Sequence, residues 1–301
     1  MPPIRSRRST GVALLLLLPL ALAATAAWAL TGRTPASPQP SARPEPAPTA
    51  LRAGLPLHGL LHAPTDASRR VHQAEQRLVA ACMAARGFRY DPAPAAAADS
   101  GTGPDLFGIE TLDRPGGSDT REPVPNERPR DERFDRALYG DPARTISARN
   151  KVLRVTRPAT GCLAEAQTRL LGREGRAGDL TLRLRLDQGE RDALRTLEKD
   201  PAFRAADTRW RTCMARAGVT AANPRELDRS LPPGTNPATH PSVRADLECK
   251  ERTGYLERAY ARLAAMQQRW LDGNQDVVAE WKALRLREDR AARQVLTSAA
   301  P

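Results

Sequence analysis

Residues 82–88 read CMAARGF and residues 213–219 read CMARAGV, and these two short stretches decide the fold. Cysteine, methionine, alanine, glycine and a final apolar residue recur at the same offsets in both. The apolar residues that precede each stretch step by three and four positions, which predicts a helix that ends at the glycine. With that glycine in the left-handed C′ position, a Schellman turn brings the methionine into contact with the final apolar residue. The repeat therefore predicts two similar helical units.

The chain has four cysteines, and three disulfide pairings are possible among them. The duplication favours one bond within each unit, Cys82–Cys162 and Cys213–Cys249. Each unit then has a helix that carries Cys-Met-Ala, a Pro-rich loop and a second helix that carries the partner cysteine. A redox or zinc role is disfavoured, because the sequence has no C-x-x-C motif and no tight Cys/His cluster.

The C-terminal segment, about 242–297, shows the longest helical periodicity in the chain. The pattern continues in phase through Asp272-Gly273-Asn274, so one long helix of coiled-coil character is preferred to a hairpin folded at Gly273. Asn274 and Glu288, which are polar, lie on its apolar seam. The seam consists of Leu256, Tyr260, Leu263, Gln267, Trp270, Asn274, Val277, Trp281, Leu284, Glu288, Ala291 and Val295.

Trp270 and Trp281 are the residues that we would expect to bind a partner protein if this seam is not buried within the chain. Their default role is in the core, because large aromatic side chains at helical spacing are usually packed inside a protein.

The N-terminal residues predict export. Arg5, Arg7 and Arg8 precede an apolar run that begins at Val12, and small-residue cleavage patterns follow it. Residues 1–29 are therefore interpreted as a signal peptide, with an uncleaved N-terminal anchor as the alternative. In both cases the rest of the chain is extracytoplasmic, either secreted or anchored at the outer face of the cytoplasmic membrane.

Composition divides the remainder into a spacer and one helical domain. Residues 30–65 are rich in proline and predict a disordered spacer. Residues 66–297 predict an all-α domain of two units, about 66–172 and 189–297, which residues 173–188 connect. Residues 91–131 predict a long irregular loop, because they are rich in proline, glycine, aspartate and serine.

The formal net charge is +12, and nearly all of the positive charge comes from arginine. A basic exterior favours anionic neighbours such as cell-wall polymers or lipid head groups. Nucleic acid is disfavoured as a partner by export and by the lack of a basic patch interleaved with aromatic residues. A membrane contact is expected only through the N-terminal segment, if that segment is uncleaved.

No catalytic or cofactor motif emerges from the sequence, so we expect no cofactor and no enzymatic activity. His58 and His62 have the i, i+4 spacing of a two-histidine metal site, but the glutamate of the metalloprotease motif is missing and glycine and proline flank the pair. An exposed loop is the preferred interpretation of that stretch. The alternative function is an extracellular hydrolase with its site in the loop 91–131.

At the Cys-Met motifs the chain resembles the exported helical proteins of actinobacteria that carry repeated W-x-x-C-M-x-x-x-G motifs. Trp210 to Gly218 reads WRTCMARAG and matches that pattern, whereas the stretch before Cys82 has no tryptophan. Residues 245–254 are similar to the second cysteine segment of these proteins, and residues 106–109 and 161–163 look like the counterparts in the first unit. The resemblance implies an architecture and no established activity.

These observations together predict a non-enzymatic interaction or scaffold protein of the cell envelope. Its partner would be an unknown envelope protein or an anionic cell-wall polymer.

Overall fold

The computed structural model describes residues 46–92, 105–112 and 131–298. These residues are mostly helical, as the sequence predicts, and they include one two-stranded antiparallel sheet. In chain order the elements are α1 (Pro48–Ala53), α2 (Pro56–Leu61), α3 (Asp66–Ala85), α4 (Glu132–Tyr139), β1 (Thr145–Arg149), β2 (Arg154–Pro158), α5 (Cys162–Leu171), α6 (Arg173–Leu197), α7 (Pro201–Arg216), α8 (Pro224–Ser230), α9 (Pro241–Thr253), α10 (Tyr255–Asp272) and α11 (Gln275–Thr297).

The two repeated stretches end their helices in the same way. Gly87 and Gly218 have φ angles of 80° and 75°, a conformation that costs glycine little. In the first turn the Phe88 N–H donates to the Met83 carbonyl at 2.9 Å, and in the second the Val219 N–H donates to the Met214 carbonyl at 3.0 Å. Both turns therefore have the predicted Schellman geometry.

The stretch 46–62 contradicts the expected disordered spacer. Proline occupies the first helical position of α1 and of α2, where its missing N–H costs no hydrogen bond. Leu55 and Leu57 are buried, and Leu57 packs against α6 and the C-terminal helices. The spacer prediction is wrong here because the prolines do not indicate disorder. They begin two short helices. Residues 1–45, with the predicted signal peptide, lie outside the described residues.

Residues 173–188 are not a connection but the first two thirds of the long helix α6. Their leucines recur at every second position, at 180, 182, 184 and 186, which is not the spacing of a one-sided helix. On a helix, residues two apart point in nearly opposite directions, whereas residues four apart share a face. Leu182 and Leu186 pack against α2 and α11, and Leu180 and Leu184 pack against the β-hairpin. The helix is thus buried on two sides.

The β-hairpin of β1 and β2 corrects the all-α prediction. Ala148 and Val155 are cross-strand partners, and both pack onto the Leu180 and Leu184 face of α6. The other face of the hairpin carries only polar and charged side chains and proline. This short hairpin has little apolar alternation, which explains why the sequence pattern did not predict it.

The C-terminal segment contains a long terminal helix, α11, but residues 242–297 are not one continuous helix. Gly254 lies in the left-handed region, with φ 56° and ψ 41°, and separates α9 from α10. Asn274, with φ −133° and ψ 42°, separates α10 from α11. The seam nevertheless stays buried on both sides of this break, because it passes successively through three apolar clusters. It therefore packs against several helices rather than against one coiled-coil partner.

The two predicted units are interlocked. α11, from the second unit, packs along α3 and α5 of the first. In return, Phe107 from the first unit lies in the cluster around Trp210 and Tyr255 of the second. The repeated turns are similar locally, but their helices contribute to shared cores.

Candidate functional site

The structure contains two disulfide bonds, Cys82–Cys162 and Cys213–Cys249, which is the pairing expected from the sequence. The bonded cysteines are separated by 80 and 36 residues along the chain. In the chain-entropy account, closing loops of this length contributes about 4 kcal/mol of stability each. Disulfide bonds of this kind are typical of oxidising, extracytoplasmic compartments.

The structure places His58 within α2 and His62 at the C-terminal cap of that helix, so the expectation of an exposed loop here is wrong. The rings of His58 and His62 lie 5.3 Å apart, at the end of α2. Burial, and then the nearby charge of Arg52, lower the pKa of His58. Among the described residues, no group of three or more histidine, cysteine or acidic side chains is placed to hold a metal ion.

Two buried polar clusters hold the segment 105–112 in the core. In the first, Arg52 Nη2 lies 3.1 Å from both Asp105 Oδ1 and Glu110 Oε2, and the Tyr260 hydroxyl donates to Glu110 Oε2 at 2.8 Å. Burial raises the pKa of Glu110, although its hydrogen bonds partly oppose that shift.

In the second cluster, Lys250 Nζ donates to the Ile109 carbonyl at 2.5 Å and to Asp246 Oδ2 at 2.7 Å. Trp210 Nε1 donates to Asp246 Oδ1 at 2.9 Å. The hydrogen bonds and ion pairs of these two clusters connect the segment 105–112 to α1, α9 and α10. Periodicity could not reveal them, because their members come from segments far apart in the sequence.

The tryptophans of the seam pack within the chain, which is the default role expected for them. Trp281 is only 3 % exposed, and its Nε1 donates to the Leu60 carbonyl at 3.2 Å. Trp270 is half-buried, and its ring lies directly against Gly189 of α6. Both side chains stabilise the packing of the C-terminal helices against α2 and α6.

A polar cleft of about 310 Å³ lies between the β-hairpin, α3, α5, α6 and α11. Glu288 lies on its inner wall, and its Oε2 is 2.7 Å from Arg285 Nη1. Arg285 also pairs with Asp179, and its guanidinium carbon lies 4.4 Å from the centroid of the Trp281 ring. The lining residues are Glu75, Ile146, Arg157, Gln167, Leu170, Leu171, Arg176, Asp179, Leu180, Arg183 and Glu288.

Among the residues that line the cleft, Glu288 has the most strongly shifted pKa. Burial raises its pKa to about 7, the charge of Arg285 opposes this shift, and the carboxylates of Asp179 and Glu75 add to it. The group can therefore bind and release a proton near neutral pH. In the sequence, the only indication of this site is that Glu288 is a polar residue on an apolar seam.

The outer face of the β-hairpin is positively charged. Residues 142–164 contain five basic residues and no aspartate or glutamate. Arg149 and Arg154 are directly opposite each other on the two strands, on the face turned away from α6. Within the part of the chain that the structure describes, no carboxylate lies within ion-pair distance of Arg149, Lys151 or Arg154.

The turn between the strands carries an exposed apolar pair, Val152 and Leu153, with exposed fractions of 68 % and 46 %. We name residues 149–154 the hairpin tip. Asn150 orders it: its Oδ1 accepts from the N–H groups of Val152 and Leu153, and its Nδ2 donates to the Leu184 carbonyl of α6. The run of basic residues is visible in the sequence, but no pattern in the sequence indicates that the apolar pair lies at the apex of a hairpin.

The hydrolase hypothesis placed a site in the loop 91–131, of which residues 93–104 and 113–130 lie outside the described residues. The described part, 105–112, contributes Phe107, Ile109 and Glu110 to the buried core. Within residues 46–92, 105–112 and 131–298, no helix combines the length and apolar character needed to cross a membrane.

Comparison of the chain with protein families, with curated proteins and with solved structures finds no match.

Proposed function

We propose that this chain is an exported, non-enzymatic interaction protein of the cell envelope, and that its hairpin tip binds an anionic envelope component. The observation that carries the proposal is the outward-facing pair Arg149 and Arg154, which lie opposite each other without a carboxylate partner among the described residues. The two disulfides support an oxidising location. The likeness of residues 210–218 to exported actinobacterial proteins supports the same location, and we propose that the chain is related to them by a duplicated unit.

Like charges directly opposite each other on paired strands destabilise a hairpin. An anion between the two guanidinium groups removes that repulsion and forms charge-assisted hydrogen bonds. Arginine suits this role because its planar fork matches phosphate and carboxylate groups in a bidentate geometry. The arrangement is therefore unfavourable in the free protein and favourable when an anionic surface is bound.

The fold holds the two arginines in place before binding. Ala148 and Val155 attach the inner face of the hairpin to α6, and the Asn150 side chain ties the turn to the same helix. Little conformational entropy is then lost on binding, because the backbone that carries the charges is already ordered.

The experiment compares the oxidised wild-type protein with a double variant, R149Q/R154Q, on immobilised polyphosphate and on isolated envelope material. We expect the variant to bind on the order of tenfold more weakly. Wild-type binding should fall between about 0.1 M and about 1 M salt, where the Debye length shrinks from about 10 Å to about 3 Å.

The matched control is R209Q/R216Q, which removes two exposed arginines of α7 and changes the net charge equally. This control should bind like the wild type. Equal weakening by both double variants would show that net charge alone governs binding, and the proposal would then be wrong.

A further inference from the structure

We infer that the anionic component is the surface of a lipid bilayer, into which Val152 and Leu153 insert while Arg149, Lys151 and Arg154 contact the head groups. This inference rests on the proposed function and names its partner. It comes from one juxtaposition: an exposed apolar pair at the apex of a hairpin whose flanking residues are cations.

Charge alone does not account for the apolar pair. A soluble polyanion would be bound by the cations, and it would leave Val152 and Leu153 in water. The interface of an anionic bilayer satisfies both features, because negative head groups lie directly above the apolar acyl region. Two adjacent branched aliphatic side chains at an ordered turn, outside any core, are the groups that such an interface buries.

The dimensions of the tip agree with shallow insertion. The turn at Lys151 and Val152 lies two residues beyond the Arg149 and Arg154 pair, which is at most about 7 Å at the rise of a β-strand. Interfacial segments bury their apolar groups about 5–10 Å into the boundary between head groups and acyl chains. The arginines therefore reach the phosphate level when the valine reaches the acyl boundary.

Such a contact is weak and reversible on its own, because it inserts two side chains only. Stable membrane association requires two signals, such as an apolar insertion combined with a basic patch or a second anchor. The hairpin tip would supply an apolar insertion and a basic patch in one rigid element, and it would set how the protein faces the membrane.

The test uses the full oxidised chain and vesicles of phosphatidylcholine, with or without one third phosphatidylglycerol. V152S/L153S should bind the anionic vesicles about tenfold more weakly than the wild type and should keep wild-type binding to polyphosphate. L286S is the matched control, because Leu286 is a single leucine of α11 that is 63 % exposed. It should bind both probes like the wild type.

A second variant, V152W, reports the position of the tip directly in vesicle-bound protein, with the wild-type spectrum subtracted. We expect a blue shift of its emission and quenching by lipids brominated near the head group. If the emission and quenching do not change in bound protein, or if V152S/L153S binds vesicles like the wild type, the inference is overturned.

The outcomes separate the inference from the proposed function. If R149Q/R154Q loses polyphosphate binding while V152S/L153S keeps vesicle binding, the partner is a soluble polyanion and the proposed function stands. If R149Q/R154Q binds polyphosphate and anionic vesicles like the wild type, the proposed function fails, and the inference fails with it.

Discussion

Arg285 Nη1 lies 2.7 Å from Glu288 Oε2, one helical turn away, yet the pKa of Glu288 is still raised to about 7. The arginine does not compensate for burial because it is shared: it also pairs with Asp179, and its guanidinium stacks on the Trp281 ring. The cleft therefore holds a carboxyl group whose protonation changes in the physiological range.

Stability should consequently depend on Glu288 as the pH changes. In the folded state Glu288 keeps its proton up to about pH 7, whereas the usual pKa of glutamate is 4.5. The stabilising contribution of the protonated Glu288 is therefore full below about pH 4.5. It is lost as the pH rises to about 7. We expect the free energy of unfolding of E288Q, relative to wild type, to rise by about 1–3 kcal/mol from pH 5 to pH 8. Denaturant unfolding at the two pH values measures this.

The control for that experiment is E280Q, at an exposed position of the same helix, and it should follow the wild-type pH profile. Part of the pH dependence should remain in E288Q, because burial also raises the pKa of Glu190 to about 7. A wild-type profile in E288Q would contradict the account of the cleft.

Two glycines of α6 should respond to alanine in opposite directions. A Cβ at Gly189 would lie 2.7 Å from a ring atom of Trp270, so G189A should lower the free energy of unfolding by about 1–3 kcal/mol. Gly178 has nothing within 4 Å of such a Cβ, and G178A should raise stability by about 0.5–1 kcal/mol. Thermal and denaturant unfolding of the two variants checks the difference in sign.

Removing the buried cation of the second polar cluster should be strongly destabilising. K250M leaves the carboxylate of Asp246 buried without its counter-charge, which costs about 3–5 kcal/mol. K282M, at an exposed position on α11, should change stability by less than about 0.5 kcal/mol. Near-equal unfolding midpoints for the two variants would show that the Lys250 and Asp246 pair does not stabilise the core.

Each disulfide should make its own measurable contribution to the free energy of unfolding. Replacing Cys213 and Cys249 by serine should lower the free energy of unfolding by about 2–5 kcal/mol, and the same change at Cys82 and Cys162 should have a similar effect. Peptide mapping of the oxidised protein should recover the two bonded pairs. Four alkylated thiols in purified extracytoplasmic material would contradict the structure.

Features governed by local bonds or by one buried face were predictable from the sequence. The turns at Gly87 and Gly218 depend on hydrogen bonds within six residues, so the motif alone specifies them. The C-terminal seam was predictable because burial imposes its period, but the break at Asn274 was not, because the apolar phase passes through it unchanged.

The features that were missed depend on contacts between distant segments. The alternating leucines of α6 make sense only with the β-hairpin on one side and the C-terminal helices on the other. Arg52 and Glu110 could not be recognised as buried partners, since each lies in a stretch that resembles a loop. Of the hairpin tip, the charge was predictable and the exposed apolar apex was not.

The packing of α11 along α3 has a consequence for how the molecule is made. Ala74 and Leu170, both in the first of the two predicted units, share one apolar cluster with Ala292 of α11. During synthesis from the N-terminus, that part of the apolar surface therefore stays exposed to solvent until α11 has been made. A truncation before Gln275 would thus destabilise α3 and α5, although it removes neither of these helices.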